Sequence, residues 1–315
     1  MGAIDALGLP ESQWVDVRGP VHYRRWDGPA DGPTFVFVHG LGGSLLNWAL
    51  VAPALAERGA VLAMDMAGFG RTPSEGRSSS ITANWKLLDG FLKALDLPPV
   101  VMVGNSMGGM LTLIQSAHAP ETLSSMVLVD AAFPRARLGR SPQPSPKVIA
   151  LFAMYSMGRV GERFVTGRAR RLGAEGLVRE TLRVCTTNPE AVDPRLVAAL
   201  VEQAERRLAV DEATSAFLTA ARSIFRAQVL PARYRAVVRA ATTRALVLHG
   251  ADDQLVPVVS AIESSAGHKN WRLEILDGVG HIPQMEAPKR WLDLMMDWLD
   301  DTERSDPRES AERPA

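Results

Sequence analysis

The first third of the chain alternates short apolar runs with segments long enough to form helices. Runs that are almost entirely apolar occur at residues 34–38, 60–65, 100–103 and 126–130. Segments with helical periodicity lie between them, at residues 47–58, at residues 81–95 and directly after Ser106. Strands that are apolar along their whole length are typical of a parallel sheet covered by helices on both faces. The pattern therefore predicts an α/β domain, which begins with an antiparallel hairpin at residues 15–26.

This alternation stops after Asp130. Residues 133–240 contain no buried-strand run, and consist of a Pro- and Ser-rich linker at residues 141–146 followed by several helical segments. One of these segments, residues 148–157, is apolar nearly all round, whereas later ones are amphipathic and rich in arginine. We therefore predict that an all-helical cap, residues 133–240, follows a first core part at residues 1–132.

The strand pattern returns near the end of the chain. Strands are predicted at residues 244–250 and 271–276, and a closing helix at residues 288–299. These elements form the predicted second core part, residues 241–300. Residues 301–315 are highly charged and almost without large apolar side chains, so we predict a disordered tail there.

Composition and charge set the general class of protein. Hydrophobic residues make up 46% of the 315 residues, which is enough for a substantial core. The chain has 35 Lys and Arg against 35 Asp and Glu, so its overall charge gives no reason to expect a nucleic-acid partner. The single cysteine, Cys185, can form no internal disulfide, and no Cys/His spacing suggests a metal.

Targeting signals are also absent from the sequence pattern. The start lacks a basic and then apolar leader, and no run of about 18 apolar residues occurs. We therefore expect a cytoplasmic protein without membrane association, which needs no cofactor and no metal. The oligomeric state is left open.

One serine stands between glycines where a buried strand ends and a helix begins. Residues 104–108 read Gly-Asn-Ser-Met-Gly, with Ser106 at the centre. A turn that needs small residues would explain the glycines alone, because glycine tolerates positive φ. A reactive serine held on a strained strand-to-helix elbow would explain both the glycines and the serine.

Two later loops supply partners for a reactive serine. Asp253 follows the strand at residues 244–250, and His281 follows the strand at residues 271–276. The carboxyl ends of parallel strands share one edge of a sheet, so these side chains and Ser106 can converge although they are distant in sequence. A histidine can accept the proton of the serine hydroxyl and later return it.

These segments together resemble the α/β-hydrolase superfamily, in its serine-nucleophile branch with an inserted helical cap. The resemblance rests on five segments in order: His-Gly-x-Gly at residues 39–42, Asp-x-x-Gly-x-Gly-x-Thr at residues 65–72, the elbow, the acid loop and the histidine loop. It covers nearly the whole chain except the tail, and covers the cap by position only. It implies an α/β-hydrolase fold, with a mostly parallel, doubly wound sheet.

The resemblance also implies a role for each site residue. Ser106 would be the nucleophile, His281 the base and Asp253 the acid that orients the histidine. The backbone N–H groups of Leu41 and Met107 would form the oxyanion hole.

Other residues compete for some of these roles. Asp130 occupies a place that some members of the family use for the acid, and Asp252 is adjacent to Asp253. The family's Asp-x-x-Val-Pro pattern fits Asp253, which we therefore favour, followed by Asp130 and then Asp252. His39 lies in the oxyanion segment, where we expect it to brace the loop by hydrogen bonds. Surface or structural roles are expected for the remaining histidines, His22, His118, His249 and His268.

The cap allows two interpretations. Its arginines are expected to form a solvated face, and the alternative is that they steer an anionic substrate or a membrane surface; they include Arg159, Arg163, Arg168, Arg170 and Arg171. The apolar segment at residues 148–157 is expected to pack within the cap, and it could also line an acyl site.

Three functions are compatible with these residues. The one we favour is a carboxylic-ester hydrolase that forms an acyl-enzyme on a small-molecule ester or acyl substrate. The second is a carbon–carbon bond hydrolase of aromatic degradation; the family resemblance implies Trp after the catalytic histidine in such enzymes, where this chain has Ile282. The third is a ligand-binding receptor module that keeps a slow triad.

Overall fold

An eight-stranded, mostly parallel sheet forms the centre of the computed structural model, which describes residues 2–74, 76–136 and 146–304. The strands, in chain order, are β1 (Ser12–Asp16), β2 (Pro20–Trp26), β3 (Phe35–Val38), β4 (Val61–Met64), β5 (Val100–Asn105), β6 (Leu123–Val129), β7 (Ala245–Gly250) and β8 (Trp271–Leu276). Their order across the sheet is β1-β2-β4-β3-β5-β6-β7-β8. The predicted hairpin β1–β2 is antiparallel, β2 pairs antiparallel with β4, and the remaining pairs are parallel.

The helices of the first core part are α1 (Ala52–Ala56), α2 (Ile81–Ala94) and α3 (Met107–His118). Five helices of the described residues lie between β6 and β7: α4 (Pro146–Tyr155), α5 (Gly158–Cys185), α6 (Pro194–Leu208), α7 (Ala213–Val229) and α8 (Pro231–Ala240). The last three are α9 (Val258–Ser265), α10 (Pro283–Glu286) and α11 (Pro288–Arg304). No helix of the described ranges has both the length and the apolar content needed to span a bilayer.

The sheet separates two hydrophobic cores, and this explains why its central strands are apolar throughout. Along β5, Val100 and Met102 belong to one core, whereas Val101 and Val103 belong to the other. Successive side chains of a strand point to opposite faces, so a strand covered on both sides must be apolar at every position. All four side chains are at most 4% exposed.

The helices between β6 and β7 do not form a unit separate from the cores. Tyr234 and Val238 of α8 pack into the first core, and Leu196 of α6 packs into the second. Helix α5 is bent where Gly173 has a φ of +63°, a conformation that glycine adopts without strain. The predicted linker falls mostly outside the described residues, and its last residue, Pro146, begins α4.

The closing helix is longer than the sequence pattern predicted. Its buried face carries Trp291, Met295 and Trp298 and packs into the second core. α11 continues to Arg304, so residues 301–304 of the predicted tail are helical. Residues 305–315 of that tail lie outside the described residues.

Candidate active site

Ser106 occupies a strained elbow between β5 and α3. Its φ of +54° and ψ of −111° lie outside the favoured regions for a residue with a side chain. Such a conformation costs about 1–3 kcal/mol and persists only where surrounding contacts enforce it. Here the Ser106 N–H donates to the Val129 carbonyl (3.0 Å), and the Ser106 carbonyl accepts from Met110 (3.1 Å) and Ala132 (3.0 Å).

The glycines of the elbow are required by close backbone approach. A Cβ added to Gly104 would lie 2.4 Å from the Gly108 carbonyl carbon, and one added to Gly108 would lie 2.0 Å from the Val38 carbonyl oxygen. Real side chains cannot fit at such distances, so both positions need glycine for α3 to pack against the sheet. Ser106 is half-buried, whereas every other residue from 100 to 113 is buried.

His281 and Asp253 form a buried hydrogen-bonded pair. His281 Nδ1 lies 2.6 Å from Asp253 Oδ2, and the two side chains are 5% and 0% exposed. The other carboxylate oxygen, Oδ1, accepts from the Leu255 N–H (2.8 Å) and the Val256 N–H (3.1 Å). Burial by itself would raise the pKa of Asp253, but His281 and these donors hold that pKa below its usual value. The charged carboxylate therefore keeps the proton of His281 on Nδ1 and leaves Nε2 as the basic nitrogen.

Asn105 joins the elbow to the histidine loop. Its Nδ2 donates to the Val129 carbonyl (3.1 Å) and to the His281 carbonyl (3.1 Å). Asn105 thus ties the backbone of the His281 loop to the elbow that carries Ser106. Sequence reasoning gave Asn105 no role, because a single amide in a short motif carries no signal about its partner.

Glu286 connects the same histidine loop to the end of α5. Its Oε2 accepts from the Gly280 N–H (2.8 Å). Its Oε1 accepts from the Thr187 N–H (2.7 Å), the Thr187 hydroxyl (2.6 Å) and the Asn188 N–H (2.9 Å). The His281 N–H itself donates to the Cys185 carbonyl at 2.7 Å. The position of the histidine backbone therefore depends on the end of a cap helix, which the sequence did not indicate.

The two rival acids differ from Asp253 in their surroundings. Asp252 is exposed and makes no contact with His281 in the described hydrogen bonds. Asp130 is fully buried behind Asp253, and its Oδ1 accepts from the Gly250 N–H at 2.8 Å. Burial, and then the charge of Asp253, raise the pKa of Asp130 well above its usual value. The pKa of Asp130 is thus shifted upward and that of Asp253 downward, so Asp253 is the member of the pair that favours the negative charge beside His281.

His249 is a further buried member of this cluster. Its Nε2 donates to the Val256 carbonyl (2.8 Å) and lies 3.6 Å from Asp253 Oδ2 and 3.8 Å from Asp130 Oδ1. Burial lowers the pKa of His249, so the ring is neutral and its place is structural, as predicted. Single ligand atoms of Asp130, Asp253 and His281 lie within 4.8 Å of one another, but the short hydrogen bond already occupies two of them.

The predicted oxyanion segment lies against the elbow. A Cβ on Gly40 would be 3.2 Å from the Ser106 Cβ, so the chain around Leu41 passes beside the serine. The Leu41 N–H has no acceptor within the described part of the chain. Met107 is the first residue of α3, where an N–H has no intrahelical acceptor and the helix end is positively polarised.

His39 braces this segment, as predicted. Its Nε2 accepts from the Met66 N–H at 3.0 Å, so Nδ1 carries the proton and donates to the Gly40 carbonyl at 2.7 Å. Burial lowers the pKa of His39, which keeps the ring neutral. His22 is also structural, because it is buried and bonded to Asp65 (2.7 Å) and Ser12 (3.0 Å).

An apolar part of the cap lies over the oxyanion segment. Tyr155, Leu218 and Ala221 form a small buried cluster, and Leu41 and Phe217 pack against it. A Cβ on Gly42 would lie 3.3 Å from the Phe217 ring. The segment beside Ser106 therefore faces apolar side chains from α4 and α7.

Comparisons with known proteins agree with this architecture. A family model described as the alpha/beta hydrolase fold matches residues 33–288. An uncharacterized protein of Mycobacterium tuberculosis is 25% identical and aligns over 96% of this chain and 85% of its own length. The 2-hydroxymuconate semialdehyde hydrolase of Pseudomonas sp. strain CF600 is 27% identical, over 85% of this chain and 87% of its own length.

Lipases are also among the similar proteins. The sn-1-specific diacylglycerol lipase ABHD11 of Mus musculus is 31% identical, over 50% of each chain. The crystal structure of a membrane phospholipase A superposes with a TM-score of 0.71 at 23% identity, over 96% of this chain and 89% of that one. With the sheet order, the elbow and the family match together, the chain belongs to the alpha/beta hydrolase family.

Proposed function

We propose that this protein is a serine hydrolase that cleaves carboxylic esters through an acyl-enzyme. One observation carries the proposal: Ser106, the only residue of 100–113 that is not buried, stands on a strained elbow tied by Asn105 to the loop of a buried His281–Asp253 pair. A serine in that position contributes little to packing, so its place is explained by reactivity.

The reaction steps follow from the arrangement of the His281–Asp253 pair, which leaves His281 Nε2 free to accept a proton. His281 Nε2 takes the proton of the Ser106 hydroxyl while Oγ attacks the ester carbonyl carbon, and the negative charge develops on the carbonyl oxygen. The N–H groups of Leu41 and Met107 stabilise that oxygen, each by roughly 3 kcal/mol. The tetrahedral intermediate collapses as His281 returns the proton to the leaving alcohol. Water then attacks the acyl-enzyme by the same route, which releases the acid and restores Ser106.

The ester substrate is favoured by the apolar cluster of the cap. Leu41 and Phe217 pack there together, so an acyl chain bound at Ser106 would meet apolar surface on leaving the oxyanion segment. Burying one methylene stabilises a complex by about 0.8 kcal/mol. The named lipase activity of the mouse relative is consistent with this substrate class.

A second candidate is a carbon–carbon bond hydrolase of aromatic degradation. Relatives with such names align over most of this chain, including a 2-hydroxy-6-oxo-2,4-heptadienoate hydrolase of Pseudomonas putida that is 27% identical over 85% of it. At the position after the histidine, however, Ile282 is 6% exposed and packs into the second core rather than lining a site for a ring or dienoate.

A side-by-side substrate series tests the proposal. Nitrophenyl esters of increasing acyl length should show kcat/KM rising by about 10-fold between acetyl and butyryl, the gain expected for two buried methylenes. The carbon–carbon hydrolase candidate expects little trend with acyl length and fast cleavage of a vinylogous diketone acid. A flat ester series would contradict the apolar acyl site. The absence of turnover on every ester would favour a receptor module that keeps a slow triad.

A further inference from the structure

The outer corner of the cap exposes apolar side chains where α4 meets α5. Met157 precedes α5 and is 54% exposed, Val160 is 49% exposed and Phe164 is 38% exposed. Their spacing of three and four residues places them on one side of the helix. Ile149 of α4 adds a fourth exposed apolar side chain at 42%. We call Met157, Val160 and Phe164 the apolar stripe.

Arginines border the apolar stripe. Arg159, Arg163 and Arg170 share one side of α5, about 100° around the helix axis from the apolar stripe. Arg171 directly follows Arg170. All four are exposed, and no carboxylate of the described residues pairs with them. α5 carries seven arginines and three glutamates, although charges balance over the whole chain. The positive charge is therefore concentrated beside the exposed apolar side chains.

Aromatic rings connect the apolar stripe to the oxyanion segment. The Phe164 and Tyr155 ring centroids are 6.4 Å apart, and those of Tyr155 and Phe217 are 5.2 Å apart. Phe217 and Leu41 both pack against the cluster that contains Tyr155, and the Phe217 ring faces Gly42. An apolar molecule at the corner of the cap thus lies at one end of a row of rings that ends at Gly42, two residues from the glycine that approaches Ser106.

We propose that the apolar stripe and its bordering arginines dock on a lipid bilayer that contains anionic phospholipids. Apolar side chains flanked by unpaired arginines match the boundary between acyl chains and anionic headgroups. A second copy of the chain fits less well, because a self-complementary contact would bring these arginines together with Glu162 as the one acid between them. The sequence favoured a protein without membrane association and kept a membrane surface only as an alternative role of the cap arginines, since the pattern of α5 does not show which of its apolar side chains stay exposed.

A second step, delivery of an acyl chain along the row of rings, rests on the proposed function. Docking itself does not. The test therefore measures binding with the Ser106→Ala protein, in which turnover plays no part.

Vesicle co-sedimentation tests docking. We expect the Ser106→Ala protein to sediment with vesicles of equal parts phosphatidylcholine and phosphatidylglycerol, weakly with phosphatidylcholine alone, and less as salt is raised. Arg159→Glu with Arg163→Glu should weaken binding at least 10-fold, and Met157→Ser with Val160→Ser should do likewise. The matched control is Arg233→Glu with Arg239→Glu, which makes the same charge change on exposed residues of α8 and should bind more tightly than the first variant.

Equal loss in the control and the α5 variants would overturn the proposal, since the effect would then be one of total charge. Binding to neither vesicle would overturn it too, as would sedimentation-velocity data in which the apolar stripe mediates a dimer. When the same α5 substitutions are made in the protein that keeps Ser106, kcat/KM on a soluble acetyl ester should not change. Vesicle binding without any ester turnover would leave docking standing and remove delivery. Ester turnover without vesicle binding would remove docking, and delivery with it, and would leave the proposed ester hydrolysis standing.

Discussion

Residues 100–113 around Ser106 are buried except for Ser106 itself, whereas residues 156–164 at the corner of the cap are exposed except for Gly161. In the first region, backbone contacts at Gly104 and Gly108 leave no room for another residue type, and the strained serine is held by three backbone hydrogen bonds. In the second, side chains have few neighbours and can change without disturbing a core. Chemistry requires the first kind of surroundings, and contact with a variable surface is better served by the second.

The largest effect of a single substitution is expected in the first region, at Ser106. Ser106→Ala should abolish ester turnover and labelling by a fluorophosphonate, because no other group can form the acyl-enzyme. The fold should survive, since the lost hydroxyl has no packing role. Circular dichroism and a thermal melt close to those of the unmodified protein would establish this. Retained labelling would place the nucleophile elsewhere.

The next effect concerns the acid. Asp253→Asn should lower kcat by about 10³- to 10⁴-fold, because the histidine loses the charged group that keeps its proton on Nδ1. Asp130→Asn is the matched control and should reduce kcat far less, since the hydrogen bond to His281 Nδ1 comes from Asp253 and Asp130 bonds to the Gly250 N–H instead. Steady-state kinetics on one nitrophenyl ester compare the two variants. The opposite order would show that Asp130 orients the histidine.

A smaller loss is expected where the cap meets the histidine loop. Glu286→Ala leaves the N–H groups of Gly280, Thr187 and Asn188 without their acceptor, so the His281 backbone should shift. We expect kcat to fall by about 10- to 100-fold with KM nearly unchanged, because small misplacements of a base are costly. Thr187→Val keeps these N–H donors and removes only the hydroxyl that contacts Glu286 and the Gly278 carbonyl, so it should destabilise by about 1 kcal/mol with little change in kcat. A change confined to stability in both variants would assign Glu286 a purely structural role.

The smallest effect lies in the pH dependence of stability. Burial raises the pKa of Asp130 in the folded state, so the unfolded chain loses this proton at a lower pH than the folded protein does. The contribution of Asp130 to the free energy of unfolding therefore falls as the pH rises above about 4. Asp130→Asn removes that dependence while its side-chain oxygen can still accept from Gly250. Its melting temperature relative to the unmodified protein should therefore be higher at pH 7 than at pH 4.

Asp252→Asn, at an exposed position, provides the comparison for this measurement. It should show the pH dependence of the unmodified protein. Parallel melting curves for all three proteins across this range would contradict a raised pKa of Asp130 in the folded state.

Much of the fold could be read from the sequence because it depends on local pattern. Strands β3 to β7 lie where continuous apolar runs predicted them, since a strand between two cores must be apolar at every position. The edge strand β8 also lies where it was predicted, although it contains Arg272 and Glu274. The end of α11 was predicted too early, at residue 299 rather than 304. The residues beyond Leu299 are charged, and helical hydrogen bonds do not require an apolar side chain.

The sequence by itself determined the strand-and-helix alternation, the strained elbow at Ser106 and the loops that carry Asp253 and His281, because each follows from a short pattern with a physical cause. Only the tertiary structure decided between Asp253, Asp130 and Asp252, since three carboxyls of the same chemistry differ only in burial and partners. It also decided the roles of Asn105 and Glu286, whose partners lie 176 and 99 residues away. The same holds for Val160 and Phe164, because the exposure of an apolar side chain depends on which helices pack around it.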